Sequence, residues 1–322
     1  MNQLQRNLFA TLAATTASLL PLNGDDSTAR NDADLPLYVL DDYVVVAHTY
    51  AVPYVEVGST VDLITREELE LGQSAFVLDA LRELPGITVR NNGGPGSVFG
   101  ITTRGLNSNR PTVLIDGIEV SNPSSGEIIN AGFLFSNSVE RIEFLKGPQS
   151  SLYGADALAG VISIETRSPT EDGQSGSISA GYGSNDTFEG SIDYSLQDGA
   201  FDLTLGVNYH SSDGYSAQTS NTEDDSYENI NVSAKVGYEI TETIRLYALA
   251  YTINAETDFD GFSDPNGTSE EEQIFAKAGA NLDISEDWQS QISFEYTQTT
   301  LTSEDTFGVF SSEGERYKTD WR

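Results

Sequence analysis

The sequence predicts two domains, a mixed α+β domain followed by antiparallel strands of a transmembrane β-barrel. Residues 53–168 contain short helix-like and strand-like runs between glycine turns, whereas residues 169–322 show long apolar–polar alternation. Short and long connections alternate between the later runs, which is typical of a barrel that crosses a membrane. Each run has about ten residues or more, enough to cross a bilayer at a tilt. A soluble sandwich is the alternative, but its strands average about five or six residues.

Composition and charge narrow the classes of function. The chain has 322 residues, of which 38% are hydrophobic and 20% charged, as is typical of folded proteins. Its 50 acidic and 16 basic residues give a formal net charge of −34, which disfavours nucleic-acid phosphates and favours cations as partners. General solvation of an acidic surface is the alternative explanation for most of these carboxylates. The chain contains no cysteine, which excludes disulfides and thiolate metal sites.

The N-terminal segment is predicted to serve export and tethering. Residues 8–22 are small and moderately apolar behind Arg6, so residues 1–22 are a predicted signal peptide. Residues 23–52 are polar and acidic, which is typical of a flexible tether. Within this tether, the β-prone run at residues 42–47 can add a strand to the sheet edge of another protein. An ordinary first strand of the next domain is the alternative.

Helix signals come first in the α+β domain. Thr65 precedes Glu68 by three residues, which is the capping-box arrangement and predicts a helix start. Ser74 can cap a second helix, in which leucines recur every three residues until Pro85-Gly86 ends it. A strand is expected to follow directly.

A glycine-rich loop and a hairpin come next. Residues 91–100 hold four glycines and lead into strand-like residues. Because no helix follows, a nucleotide-binding loop is disfavoured and a mobile loop facing an outside ligand is expected. Residues 111–115 are rich in β-formers, and Asp116-Gly117 predicts a tight hairpin turn into residues 118–120.

Two sequence blocks carry a resemblance to a known family. Residues 101–123 read ITTRGLNSNRPTVLIDGIEVSNP, and residues 138–165 read SVERIEFLKGPQSSLYGADALAGVISIE. In this order and spacing they resemble the plug domain of TonB-dependent outer-membrane receptors, and the likeness extends over residues 41–300. In that family, plug arginines and glutamates form buried pairs against the barrel wall, which implies such pairing for Arg104 and Glu143. A solvated arginine and glutamate at the base of the plug are the alternative. The plug motif positions are Arg104, Gly105, Asp116, Gly117, Glu143, Gly147, Pro148, Tyr153 and Gly154.

The resemblance assigns roles to two further segments. It implies that the tether carries the TonB box, the energy-coupling segment that binds TonB of the inner membrane. It also implies that certain plug loops face the transported solute. The residues of the implied TonB box are Asp42, Tyr43, Val44, Val45, Val46 and Ala47. The implied solute-facing residues are Asn91, Asn92, Ser97, Ser121 and Asn122.

The alternating region supplies only part of a barrel. Residues 169–322 provide about seven or eight strands, whereas a barrel that holds a plug needs about 22. The chain also ends at Trp321-Arg322, without the usual closing aromatic carboxylate. A fragment that lacks the later barrel strands is therefore expected.

The long connections between strands are acidic. Hard cations such as calcium take about six to eight oxygen ligands, so these carboxylates predict a calcium site where the loops converge. The resemblance points the same way, because cobalamin receptors of the family carry a calcium site on early barrel loops. A solvated acidic loop is the alternative for each single carboxylate. The candidate metal ligands are Asp213, Asp224, Asp225, Asp258 and Asp260.

No enzyme is expected. His48 and His210 belong to no arrangement that builds a nucleophile or a zinc site. The resemblance implies a TonB-dependent active transport receptor in the cell outer membrane, for a scarce large solute that is cobalamin or a related corrinoid. A siderophore receptor and a non-transporting surface-binding or adhesion barrel are the alternatives. The implied partners are TonB, the large solute and outer-membrane lipid, without nucleic acid, and calcium aside no cofactor is required.

Overall fold

The fold is described by a computed structural model of the chain. It describes residues 43–44, 52–53, 60–91, 93–94, 96, 99–106, 111–124, 134–154, 157–169, 171–216, 218, 223–260, 266–285 and 288–322. The predicted signal peptide and most of the predicted tether lie outside these residues. Within the tether, β1 (Tyr43–Val44) pairs antiparallel with β2 (Val52–Pro53). The other residues of the expected TonB box lie outside the described residues.

The α+β domain, called the plug below, is built around a small mixed sheet. Its elements are β3 (Val61–Thr65), α1 (Arg66–Gly72), α2 (Val77–Leu81), β4 (Ile87–Asn91), β5 (Phe99–Thr103), β6 (Pro111–Ile115), β7 (Ile118–Glu119), a 3-10 helix (Ser136–Ser138), β8 (Val139–Lys146), α3 (Ser150–Tyr153) and β9 (Gly160–Thr166). The sheet order is β3-β8-β9-β6-β7, with β6 and β9 parallel and the other neighbours antiparallel. β4 and β5 form a separate hairpin.

The first helix begins where the capping box predicts. The Thr65 amide donates to Glu68 Oε2 at 2.9 Å, and the Glu68 amide donates to Thr65 Oγ1 at 3.4 Å. Each side chain thus satisfies a backbone amide that has no partner inside the helix. Gln73 ends α1 in a left-handed conformation with a φ of 50°. The predicted helix start is confirmed.

The second helix does not use its expected cap. Phe76 rather than Ser74 occupies the N-cap of α2, and no side chain of the described residues caps it. The backbone here pairs with a distant segment instead, since the Val77 amide donates to the Leu134 carbonyl at 2.9 Å. A tertiary contact therefore satisfies the helix start in place of a local cap.

The predicted hairpin turn joins β6 to β7. Asp116 and Gly117 both have positive φ, 46° and 75°, as a two-residue turn of this hand requires. Ile115 pairs with Ile118 across the turn. Local sequence therefore fixes the conformation of this tip.

Eight long strands form the second sheet, called the wall below. They are β10 (Gly173–Tyr182), β11 (Phe188–Asp198), β12 (Phe201–Ser212), β13 (Tyr227–Thr241), β14 (Ile244–Phe259), β15 (Gly267–Ser285), β16 (Trp288–Asp305) and β17 (Gly308–Trp321). Each pairs antiparallel with the next, and β10 and β17 are the edges of the sheet. The strands contain 10 to 19 residues, enough to cross a bilayer at a tilt. The predicted antiparallel barrel strands are confirmed.

The two faces of the wall differ in polarity. Its outer face exposes apolar side chains, among them Leu205, Val232, Val236, Tyr238, Leu246, Ile274 and Phe294. Alternate residues on the other face are buried and often polar, among them Asn208, His210, Asn229, Gln273, Glu295 and Thr297. This alternation suits a sheet with lipid on one side and a filled lumen on the other.

One hydrophobic core joins the plug and the wall. Tyr227, Ile253 and Phe275 of the wall belong to the same buried cluster as the strands and helices of the plug. Burial of such side chains is the main apolar contribution that holds the two domains together. Among the described residues, no helix is both long and apolar enough to cross a membrane.

Candidate functional site

Wall side chains hold the tip of the β6–β7 hairpin. Lys235 on β13 places Nζ 3.3 Å from Asp116 Oδ2, and the Tyr251 hydroxyl on β14 donates to the same oxygen. Thr166 at the end of β9 donates to Asp116 from its amide at 2.9 Å and from its hydroxyl at 2.6 Å. The Asp116 side chain is 6% exposed. Because the carboxylate is buried, loss of its partners would leave a poorly compensated charge.

Two further basic residues of the wall hold the same hairpin. Lys277 Nζ on β15 donates to the Gly117 carbonyl at 3.3 Å. Arg316 on β17 donates to Glu119 Oε1 at 3.0 Å and to Ser121 Oγ at 2.8 Å. We call these three wall residues the basic clamp: Lys235, Lys277 and Arg316. The chain has only 16 lysines and arginines, and three of them, all on the wall, bond this one hairpin. We therefore regard the hairpin as the main polar attachment of the plug to this part of the wall.

Glu143 is wholly buried, and its described ion-pair partner differs from the expected one. Arg141 Nε donates to Glu143 Oε1 at 2.7 Å. The two residues are two positions apart on β8 and therefore lie on the same face of the strand. Arg104 instead occupies an exposed turn after β5, with a φ of 51°. The buried pairing expected for Arg104 is thus corrected, because Arg104 is exposed.

Glu165 is a second carboxylate near the hairpin tip, and it is half-buried. It pairs across the sheet with Arg141, and Ser163 Oγ donates to its Oε1 at 3.1 Å. Burial and then the negative charge of Asp116 raise the pKa of Glu165 from 4.5 to about 7, although Arg141 and Lys235 oppose this shift. Glu165 therefore titrates near neutral pH.

We expect plug stability to depend on pH through Glu165. A carboxyl with a raised pKa in the folded state stabilises the fold fully below pH 4.5, and this contribution is lost as the pH rises through about 7. Glu165→Gln removes the titration, so its free energy of unfolding should fall less than that of the wild type between about pH 5 and 8. The measurement is the urea midpoint of thiol labelling at Val161→Cys, a buried reporter in a chain without native cysteine, pulse-labelled at one fixed pH. Equal pH slopes for both proteins would contradict the assignment.

The other plug motif residues lie in turns and in the short helix. They are Gly105, Gly147, Pro148, Tyr153 and Gly154. Gly160 is not one of the plug motif residues, yet its position also requires glycine. Its φ is 129°, and a Cβ there would lie 2.5 Å from the Leu145 carbonyl oxygen. Only the pairing of β8 with β9 reveals this requirement.

The expected solute-facing residues have different surroundings. Asn91 is the last residue of β4, and Asn92 and Ser97 lie outside the described residues. Ser121 is bonded to the basic clamp. Asn122 Oδ1 accepts a hydrogen bond of 2.8 Å from the backbone amide two residues later. The described contacts of Ser121 and Asn122 therefore hold the plug and its loop in shape.

Three carboxylates meet where the loops after β12 and β14 approach each other. Oxygen atoms of these residues lie within 4.8 Å of one another. We call them the acidic cluster: Glu223, Asp225 and Asp260. The Gln218 amide donates to Asp260 Oδ2 at 2.7 Å and Ser216 Oγ donates to it at 3.2 Å. Two loops that are distant in sequence are thus joined at one polar point.

The acidic cluster contains two of the five expected metal ligands and one residue that was not named. Asp225 and Asp260 belong to it, whereas Asp213, Asp224 and Asp258 are outside this group of three. The Asp258 carboxylate instead accepts a hydrogen bond from Ser226 Oγ at 2.5 Å. Glu223 lies in the same acidic run as Asp225, so its proximity in sequence was the available signal.

The chemistry of the acidic cluster fits a hard divalent cation. Partial desolvation raises the pKa of Glu223, and the neighbouring Asp260 and Asp225 raise it further. Glu223 Oε1 is buried and has no hydrogen-bond partner among the described residues. Three crowded carboxylates repel one another, and calcium prefers oxygen ligands of this kind. A cation would therefore relieve the repulsion and occupy the orphan oxygen.

Two family models match adjoining parts of the chain. The TonB-dependent Receptor Plug Domain matches residues 53–161. The Outer membrane protein beta-barrel domain matches residues 147–318, more than half of the chain. This chain belongs to the TonB-dependent receptors of the outer membrane. The expected family and the expected outer-membrane location of this receptor are confirmed.

Curated relatives of this receptor carry the name of one transported vitamin. The chain is 31% identical over 253 residues to the Vitamin B12 transporter BtuB of Photobacterium profundum, covering 76% of this chain and 41% of that protein. It is 37% identical over 145 residues to the Vitamin B12 transporter BtuB of Vibrio vulnificus, covering 45% of this chain and 23% of that protein. The chain thus spans less than half the length of either relative.

Solved structures with the same fold carry other names. The ferripyoverdine receptor of Pseudomonas aeruginosa aligns with a TM-score of 0.69 at 17% identity, covering 82% of this chain and 37% of that one. The ferric preacinetobactin receptor BauA of Acinetobacter baumannii aligns with a TM-score of 0.69 at 16% identity, covering 85% and 44%. At this identity the likeness supports the plug-and-wall fold alone. These relatives are named as transporters and receptors rather than enzymes.

Proposed function

We propose that this receptor imports cobalamin or a related corrinoid across the outer membrane. The observation that carries the proposal is the 31% identity to a vitamin B12 transporter over 253 residues, which spans both the plug and the wall. The siderophore receptors share only the fold, so they carry less weight for the solute. The solute would enter from the side of the long connections and meet the plug loops first.

We also propose that the acidic cluster holds calcium and so orders the loops that receive the solute. Glu223, Asp225 and Asp260 supply three anionic oxygen ligands, and backbone carbonyls or water would complete the coordination. The cation joins the loop after β12 to the loop after β14. Since solute binding to preformed loops loses less conformational entropy, affinity should depend on calcium.

Equilibrium binding tests the solute and the cation together. Purified receptor, produced from its complete reading frame, is titrated with cyanocobalamin and with a ferric siderophore, in calcium and after chelation. We expect cyanocobalamin to bind tightly in calcium and about tenfold or more weakly after chelation. Tight binding of the ferric siderophore without binding of cyanocobalamin would overturn the corrinoid assignment and favour the siderophore alternative.

For energy coupling, we propose that residues 42–47 add a strand to TonB. Such pairing depends on backbone amide donors, which proline lacks. Val45→Pro should therefore reduce cobalamin uptake to background while leaving surface binding within about twofold of the wild type. Val45→Thr, which keeps both the amide and the β-branched shape, is the matched control and should transport normally. Undiminished uptake by Val45→Pro would favour a barrel that does not use TonB.

A further inference from the structure

Gly96 lies in the plug loop between β4 and β5, called the outward plug loop below, and comes into close contact with the wall. Its φ is 78°, and a Cβ at this position would lie 2.3 Å from Tyr227 Cδ2 and 2.5 Å from Thr257 Oγ1. No side chain fits between the loop and the wall here without displacing one of them. The glycine is therefore required twice, by its backbone conformation and by the approach of the ring.

The Tyr227 ring also contacts a second segment of the plug. Phe76, the N-cap residue of α2, lies with its ring centroid 6.1 Å from that of Tyr227, in an edge-to-face arrangement. The ring centroid of His210, on the wall, lies 5.5 Å from that of Tyr227 and 5.1 Å from that of Phe76. Tyr227 is 1% exposed. A plug loop and a plug helix thus meet at one buried wall side chain.

The strand pair that carries Tyr227 also leads into the acidic cluster. Tyr227 pairs with Thr257 in the β13–β14 ladder. Asp225 precedes Tyr227 by two residues, and Asp260 follows Thr257 by three. The ladder continues towards the cluster with one more backbone hydrogen bond of 2.8 Å. The acidic cluster and the contact with Gly96 therefore lie within a few residues of each other, at the same end of β13 and β14.

We propose that Gly96 and Tyr227 are positioning residues that hold the outward plug loop against the wall, an arrangement called the seat below, and so prepare the loop for the solute. We further propose that a cation in the acidic cluster stabilises the seat. The inference rests on the proposed function for the identity of the solute, but not for the seat itself. A cation that draws Asp225 and Asp260 together fixes the ends of β13 and β14. Tyr227 and Thr257 are then held in the spacing that the loop requires.

Gly96→Ala tests the seat, because the methyl group collides with the Tyr227 ring and the backbone is strained. We expect amide hydrogen exchange in β5 to become about tenfold faster and cyanocobalamin affinity about tenfold weaker. Calcium affinity, measured by calorimetric titration with calcium alone, should fall by the same factor by which calcium slows exchange in β5 of the wild type, because coupling between two sites is reciprocal. Gly199→Ala is the matched control, since Gly199 also has a positive φ, 55°, but has no atom within 4 Å of an added Cβ.

Size complementation separates a local contact from general damage. Tyr227→Leu removes the collision with the ring, whereas the backbone strain and the close approach to Thr257 Oγ1 remain. The double variant with Gly96→Ala should therefore recover part of the lost protection, with exchange in β5 about threefold faster than in the wild type instead of about tenfold. Exchange in β5 that is unchanged by Gly96→Ala, or equally changed by Gly199→Ala, would overturn the proposal. The exchange measurement needs no solute. If the wild type binds only a ferric siderophore, the corrinoid assignment fails, but the exchange rates in β5 still test the contact between Gly96 and Tyr227.

Discussion

The double variant Asp225→Asn, Asp260→Asn should lose about two orders of magnitude in calcium affinity, because it removes two of the three charges of the acidic cluster. Amides keep the shape and the oxygen atoms but not the negative charge that attracts the ion. The measurement is calorimetric titration of the purified receptor with calcium. Cyanocobalamin affinity should fall to the value that the wild type shows after chelation.

The controls for this result come from the same loops. Asp213 and Asp224 are exposed and lie outside the acidic cluster. The double variant Asp213→Asn, Asp224→Asn changes the net charge by the same amount, yet should alter calcium affinity by no more than about twofold. Equal losses in the two double variants would show that calcium responds to the general acidity of the loops and not to a defined set of ligands.

Lys235→Met should destabilise the attachment of the plug by about 3–5 kcal/mol, the range found when one partner of a buried ion pair is removed. The substitution keeps most of the unbranched apolar stem but leaves Asp116 buried near Glu165 without the cation of Lys235. The measurement is the urea midpoint of thiol labelling at the Val161→Cys reporter at pH 6. Adding Asp116→Asn to this variant should recover much of the loss, which a double-mutant cycle would resolve.

A second lysine of the wall serves as the control for Lys235. Lys318 Nζ lies 3.9 Å from Glu295 Oε2, and its side chain is 38% exposed. Because Lys318 is itself exposed and distant, and the buried Glu295 keeps Lys277 at 3.1 Å, Lys318→Met should change stability by less than about 1 kcal/mol. Equal effects of the two substitutions would contradict the assignment of the basic clamp as the main polar attachment of the plug.

Local sequence was sufficient for much of the fold. The helix start at Thr65 and the turn at Asp116-Gly117 depend on side chains within a few residues, so both were predictable. The long strands were also predictable, because a period of two over ten or more residues leaves few alternatives. The start of α2 was not, because a backbone partner near Leu134 satisfies it.

The site residues were less predictable because their partners are distant in sequence. For Glu143 the partner is close instead: Arg141 lies two residues away, and only the strand conformation of β8, which places both side chains on one face, favours it over Arg104. Ser121 was expected to face the solute, but its hydroxyl accepts a hydrogen bond from Arg316, which lies 195 residues later in the sequence. Glu223 and Gly96 lie in loops whose partners come close only in the folded chain. The acidic run at Glu223 was a signal in the sequence, whereas nothing local to Gly96 indicated its contact with the wall.

Energised uptake tests the central claim most directly. Cells that make this receptor from its complete reading frame, as their sole corrinoid receptor, are given radiolabelled cyanocobalamin with and without an energised inner membrane. We expect accumulation far beyond one solute per receptor in energised cells, and binding of about one per receptor in de-energised cells. Binding that never exceeds one per receptor, whatever the energy state, would contradict import and identify a barrel that only holds its ligand at the surface.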